Sequence, residues 1–216
     1  MTVLLVATGN PGKIKECAAF LCPAGFTVLG LDALTDRTPI EETGTTFEAN
    51  ARLKAEGYSL RTPHLVLADD SGLEVDALAG GPGVLSARYG GPDLTDPERC
   101  TAILGALAST SDEERTARFR CVLALAKAGR TLATFDGVVE GTILREPKGA
   151  NGFGYDPIFF HAPSGCAFAE LTRAEKELVS HRGRALLRFS QSVGEGPLFS
   201  YKAASGELCK KKGNLP

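Results

Sequence analysis

The run Val3-Leu4-Leu5-Val6-Ala7 breaks at once into Thr8-Gly9-Asn10-Pro11-Gly12-Lys13, after which Ile14, Cys17, Ala18 and Leu21 recur at helical spacing. A short, continuous apolar run rich in Val and Leu reads as a buried strand. A strand that passes through a glycine turn straight into a helix is the opening of an α/β unit, which excludes all-helical and all-β folds from the start. The pattern repeats: Phe26 to Leu31 reads as a strand, and Phe47, Ala51, Lys54 and Ala55 mark a helix that Thr45 or Thr46 can cap. Leu65-Val66-Leu67-Ala68 reads as a buried strand ending in Asp69-Asp70-Ser71-Gly72. A helix follows from Asp96 to Leu107, with Pro97 suited to its first turn. Residues 117–126 and 131–144 alternate as two long strands joined near Ala128-Gly129-Arg130, a hairpin pattern. The last helical region covers about 172–192. The class is α/β with a mixed sheet.

At 216 residues the chain is long enough for one large domain or two joined lobes. Its 43% hydrophobic and 23% charged residues are those of an ordinary globular protein. A net charge of −2 gives no bulk attraction for nucleic acid or an anionic membrane, so any phosphate site must be local. No stretch approaches the ~20 apolar residues that span a bilayer. The first apolar run is too short for a signal sequence and lacks a basic segment before it, so the expectation is a cytoplasmic protein. The six cysteines are scattered without zinc spacing and read as reduced thiols.

Four stretches could carry chemistry. The loop of residues 8–13 opens a helix, whose free N–H groups and dipole suit phosphate, with Lys13 adding charge. It lacks Walker A spacing, and a tight turn with a surface lysine explains it equally. Asp69 and Asp70, at the end of a buried strand, would repel each other, and Mg²⁺ would relieve that; Glu41 and Glu42 in another loop could complete the site. An Asp/Ser/Gly turn and a solvated acidic loop are the plainer alternatives. Gly152-Phe153-Gly154-Tyr155-Asp156-Pro157 would let a ring lie flat on a planar ligand, or would simply anchor a surface turn. Lys176, Ser180 and Gly183 fall on one helical face beside His181 and Arg182, where basic groups could meet phosphate or base.

Read in order, Thr8 to Lys13, Ala68-Asp69-Asp70-Ser71-Gly72-Leu73, Pro82-Gly83-Val84-Leu85-Ser86-Ala87-Arg88-Tyr89, Gly152 to Pro157 and Ser180-His181-Arg182-Gly183 resemble the motifs of the inosine/xanthosine triphosphate pyrophosphatase family over about residues 3–193. The resemblance implies a long mixed sheet with flanking helices, forming two lobes around a central nucleotide cleft, and a homodimer. It places one two-lobed domain over residues 1–203 and a tail over 204–216 with no assigned function. It implies Mg²⁺-dependent hydrolysis of ITP, dITP and XTP to the monophosphate and pyrophosphate. By matching position, Thr8, Gly9, Asn10, Pro11, Gly12 and Lys13 would hold the triphosphate. Glu41 and Asp70 would bind metal, with Asp69 and Glu42 as further candidates, and Asp70 would also accept the proton of the attacking water. Ser71 would contact substrate, Phe153, Gly154, Tyr155 and Asp156 would flank the base, and Lys176, His181 and Arg182 would complete its pocket. A donor facing the 6-keto oxygen of hypoxanthine or xanthine would reject adenine, and Arg182 or a nearby backbone N–H is the candidate. One position departs: the family's Phe-x-Glu-Asn-Ala is Phe47-Glu48-Ala49-Asn50-Ala51 here, and Glu48 lies about 100° around the helix from the missing glutamate.

Overall fold

The computed structural model describes residues 2–195. A seven-stranded sheet runs through the molecule in the order β2-β1-β3-β4-β5-β6-β7. The strands are β1 (Thr2–Ala7), β2 (Phe26–Leu29), β3 (Leu65–Val75), β4 (Thr116–Lys127), β5 (Arg130–Ile143), β6 (Phe159–His161) and β7 (Cys166–Ala167). β1 pairs parallel with β2 and β3, and every later pairing is antiparallel. The helices are α1 (Pro11–Leu21), α2 (Phe47–Ser59), α3 (Asp96–Ala106), α4 (Arg173–Val179) and α5 (His181–Glu195). The β4–β5 hairpin turns on Ala128 and Gly129, both at positive φ (50° and 77°), the backbone that matches strand twist in a two-residue turn.

Three buried clusters flank the sheet. On one face of the β1 end, Leu4, Val6 and Leu123 pack with Cys17 and Leu21 of α1 and Leu186 and Phe189 of α5. On the opposite face Leu5, Val66 and Ala124 pack with Phe47, Ala51, Ala55 and Tyr58 of α2. The third joins the far halves of β3, β4 and β5 to Cys100 and Ile103 of α3 and to Phe159 and Phe168. The strands β3–β5 thus belong to both halves of the sheet.

Two elements differ from the sequence expectation. β3 does not stop at Ala68 but continues through Asp69-Asp70-Ser71-Gly72 to Val75, because β4 supplies a ladder partner at every step from Val66 to Val75. β1 ends at Ala7 opposite Ala68, so the acid pair lies just past the end of its parallel neighbour. The last helical region is two helices broken at Ser180, whose backbone is extended (φ −74°, ψ 158°). The Ser180 side chain then accepts from the Gly183 N–H at 3.0 Å. Gly183 is needed because a methyl there would overlap the Glu177 carbonyl oxygen across the break. Lys176 and Gly183 therefore do not share one helical face. The boundary at 203 and the 204–216 tail lie outside the described residues.

Candidate functional site

Beyond the end of β1 two chambers meet, sharing Asn10, Lys13, Ser71 and Ala87 in their walls. One, of about 390 Å³, is lined by Thr8, Gly9, Arg37, Glu42, Lys54, Asp70 and Arg88 among others. The other, of about 250 Å³, is lined chiefly by Phe119, Phe153, Tyr155, Asp156, Lys176, His181, Arg182 and Arg99. A larger concavity of about 800 Å³, bounded by Glu74, Arg120 and the 79–85 loop, contains none of the residues expected from the sequence to bind substrate or metal. Chemistry rather than volume therefore marks the site.

The start of α1 is less open than its glycines imply. Asn10 caps the helix, its Oδ1 accepting from the Gly12 and Lys13 N–H groups at 2.8 and 3.2 Å. Asn10 donates its own N–H to Thr8 Oγ1 at 3.2 Å. Pro11 has no N–H, and Pro11 and Gly12 line neither chamber. What remains for an anion is the positive end of the helix and the Lys13 ammonium. Gly12 does a different job: a methyl there would come within 2.6 Å of the Phe153 ring, so its absence lets the aromatic loop lie against α1.

Adjacent strand residues point to opposite faces, so Asp69 and Asp70 meet different partners. Asp69 faces Lys13 and Arg182 and is ion-paired to both. Burial pushes its carboxyl up, but Arg182 and Lys13 overrule that and hold it well below the usual carboxylate range. Asp69 is committed to these cations rather than free for metal. Asp70 faces the larger chamber. Its Oδ1 accepts from Lys54 Nζ at 3.0 Å, and Lys54 also reaches Glu42 at 3.2 Å. Its Oδ2 is buried without a protein partner. Burial raises the Asp70 pKa, and the nearby Lys54 and Lys13 offset this only in part.

Glu42 borders this chamber, whereas Glu41 is exposed and borders neither. Glu48 turns outward to Arg52 at 2.7 Å, so it does not stand in for the glutamate replaced by Ala49. Among the described residues no three His, Cys, Asp or Glu side chains converge as a metal cage. Mg²⁺ does not require one, since it commonly takes one or two carboxylates and completes its shell with water and substrate phosphates. The unpaired Asp70 oxygen with Glu42 fits that mode.

The second chamber is held by a continuous chain of buried charges. Lys13 pairs with Asp69, Asp69 with Arg182, Arg182 with Glu16, Glu16 with Lys176 at 3.1 Å, and Lys176 with Asp156 at 2.6 Å. The chain ties α1, β3, α5, α4 and the aromatic loop together. Arg182 also donates to Ser71 Oγ at 2.8 Å, so three of its five N–H groups are engaged. Lys176 Nζ and the Arg182 guanidinium lie 4.7 and 5.6 Å from the Phe153 ring centre, within cation–π range. His181 stacks on Phe119 at 4.8 Å, and its Nδ1 is buried without a partner. Burial, then the Arg182 and Lys176 charges, hold its pKa well below the usual value, so it is neutral. Gly152 and Gly154 take positive φ (76° and 63°), and Phe153 stands between them as a half-buried ring. Tyr155 is buried, its hydroxyl donating to the Ser86 carbonyl at 2.8 Å.

Lys54, Glu16 and Arg99 are among the residues of this cleft to which the sequence alone gave no role. Lys54 sits on the buried stripe of α2 with Phe47, Ala51 and Tyr58, and a lysine on an apolar stripe was the available signal. Glu16 follows Lys13 by three residues, so the two share a face of α1. Arg99, in the second turn of α3, gave no signal.

One chamber suits a polyanion and the other a flat, polar ring, and their union places the protein among the α/β proteins that handle nucleotides. Comparison narrows this to one family. The profile of the Ham1 family matches residues 4–192, and the chain belongs to that family. It is 49% identical over 190 residues to a dITP/XTP pyrophosphatase of Exiguobacterium sp., covering 88% of this chain and 96% of that protein. It is 48% identical over 194 residues to a dITP/XTP pyrophosphatase of Geobacter sulfurreducens, covering 90% and 98%. The solved structure of a HAM1 protein from Coxiella burnetii superposes with a TM-score of 0.81 at 41% identity, covering 91% of this chain and all of that one. The Staphylococcus aureus Ham1 protein gives 0.78 at 37%, covering 88% and 97%. No helix among the described residues is long and apolar enough to cross a membrane.

Proposed function

We propose that this chain hydrolyses non-canonical purine nucleoside triphosphates of the dITP, ITP and XTP type to the monophosphate and pyrophosphate, clearing them from the nucleotide pool. The observation that carries the reading is the junction of the two chambers at Lys13 and Ser71. A nucleotide laid across it puts its base by Phe153 and its phosphates by Lys54 and Asp70.

The roles follow from the contacts. Lys13, Lys54 and the start of α1 counter the charge of the phosphate chain. That is worth most in the transition state, when charge moves onto the departing pyrophosphate. Asp70 takes a proton from water as the water oxygen bonds to phosphorus and the α–β anhydride bond breaks, its electron pair leaving with pyrophosphate. A carboxylate whose pKa is raised by burial is a better proton acceptor near neutral pH than an exposed one. Mg²⁺, held by Asp70 and Glu42 with the substrate's phosphates, would neutralise leaving-group charge and acidify the water. The charge chain from Lys13 to Asp156 holds Arg182 and Lys176 beside the base, where either the remaining Arg182 N–H groups or a backbone N–H meets the 6-keto oxygen. By family resemblance the protein works in the cytoplasm as a homodimer.

The test is pyrophosphate release from ITP and XTP against ATP, with Mg²⁺ and then with EDTA. Pyrophosphate from ITP and XTP that EDTA abolishes is expected, with ATP slow. Orthophosphate as the first product would replace this reading with a phosphatase, and tight ITP binding without turnover would replace it with a binding module.

A further inference from the structure

Arg99 is a wall of the base chamber, yet it stands outside the charge chain from Lys13 to Asp156, with a single long ion pair to Asp96 at 3.4 Å. Its side chain is only 11% exposed. Its Nε–H is buried without a partner. Its two terminal nitrogens reach Asp96 Oδ1 and the Pro92 carbonyl only at 3.4 Å each, the weak end of hydrogen bonding. Arg182, by contrast, spends three N–H groups on close partners. A nearly buried cation with one long ion pair and most of its five N–H donors unspent can take a further acceptor.

Its backbone is well anchored. One turn earlier on α3, Asp96 Oδ2 accepts from the Gly154 N–H at 2.7 Å, and Cys100 donates to the Gly154 carbonyl at 3.4 Å. The start of α3 thus grips the aromatic loop, and Arg99 is carried at a fixed place beside Phe153 and Tyr155.

We propose that Arg99 reads position 2 of the purine and sets the discrimination of XTP from GTP and ITP. This rests on the reading of the cleft as a purine nucleotide site. Xanthine, guanine and hypoxanthine all carry the 6-keto oxygen, so a donor at position 6 cannot separate them. They differ at position 2, where xanthine has a carbonyl, hypoxanthine a hydrogen and guanine an amino group. A guanidinium has donors and no acceptor. It pairs with the xanthine carbonyl, gains nothing from hypoxanthine, and sets N–H against N–H with guanine, whose amino group then loses water without a partner. The second carbonyl also makes the xanthine ring more acidic, and a cation beside it favours the anionic base.

The experiment measures pyrophosphate release from XTP, ITP and GTP by wild type and Arg99→Gln in parallel. The glutamine amide offers an acceptor that the arginine lacks. The XTP:ITP ratio of kcat/KM is expected to fall by about tenfold or more, and the GTP:ITP ratio to rise. Each ratio is taken within one preparation, so a partly unfolded variant does not distort it. Both ratios staying within about twofold of wild type would overturn the assignment, whatever the absolute rates. A wild type that turns over none of the three would overturn the underlying reading instead.

Discussion

Gly137 lies in the middle of β5, outside both chambers, and its replacement by alanine tests how the site is held. A methyl at this position would overlap the His181 carbonyl oxygen, lie 2.8 Å from the Ala185 nitrogen and 3.1 Å from the Arg184 Cβ. Ordinary contact is about 3.5 Å or more, so the first turn of α5 must retreat by the better part of an ångström, and by more at His181. None of these neighbours is the free end of a flexible side chain. Overpacking of this kind costs about 1–3 kcal/mol, and in a domain of this size each kcal/mol lowers Tm by roughly 2–4 °C. The larger effect should be on activity. The retreating turn carries His181 and Arg182, and Arg182 is the link between Asp69 and Glu16 in the charge chain. A displacement of about 1 Å in a positioning group costs on the order of a hundredfold in rate. Gly137→Ala should therefore melt a few degrees lower and lose about two orders of magnitude in kcat/KM for XTP while remaining folded by circular dichroism. If the variant melts with wild type and keeps activity within about threefold, the close approach of α5 to β5 does not position the site.

Replacing Lys54 by methionine removes the cation that partly offsets the burial of Asp70, so the Asp70 pKa should rise further. Activity that needs the carboxylate is lost as pH falls through that value, so the acid limb of the pH–rate profile should move to higher pH, with a maximum about a hundredfold lower; an unmoved limb would separate Lys54 from Asp70. Asp69→Asn should destabilise the fold by about 3–5 kcal/mol at neutral pH, because it leaves Arg182 and Lys13 without their shared counter-charge. The folded Asp69 pKa is depressed, so its contribution is complete above the unfolded value of about 3.9 and disappears as pH falls through the folded value. Urea unfolding at neutral pH and in acid should show the two proteins converging, and equal stability at neutral pH would refute the role.

Local signals in the sequence carried the class of fold and the broad character of the site. Val3 to Ala7 is too apolar to be anything but a buried strand, and the glycine turn after it leads directly into α1. The β4–β5 hairpin was visible as alternation on both sides of Ala128-Gly129. These features depend on neighbours a few residues apart, and so does the glycine-flanked Phe153. The fate of Asp69 and Asp70 was not local. As a string they read as the end of a strand, fit for a metal pair or a turn, and only the β4 partner strand keeps them extended and turns them to opposite faces. Nor could the string show that Asn10 would occupy the helix N–H groups, that Glu42 rather than Glu41 would face the chamber, or that the last helix would break at Ser180. Glu16 meets Arg182 across 166 residues of chain, and Arg99 reaches the base chamber because α3 grips Gly154 from 58 residues away. Hydrophobic period and turn chemistry are short-range and are written into the sequence. Which buried charge meets which, and which keeps donors or acceptors unspent, depends on the packing of α1, α3, α4 and α5 around the sheet, so only the tertiary structure decided it.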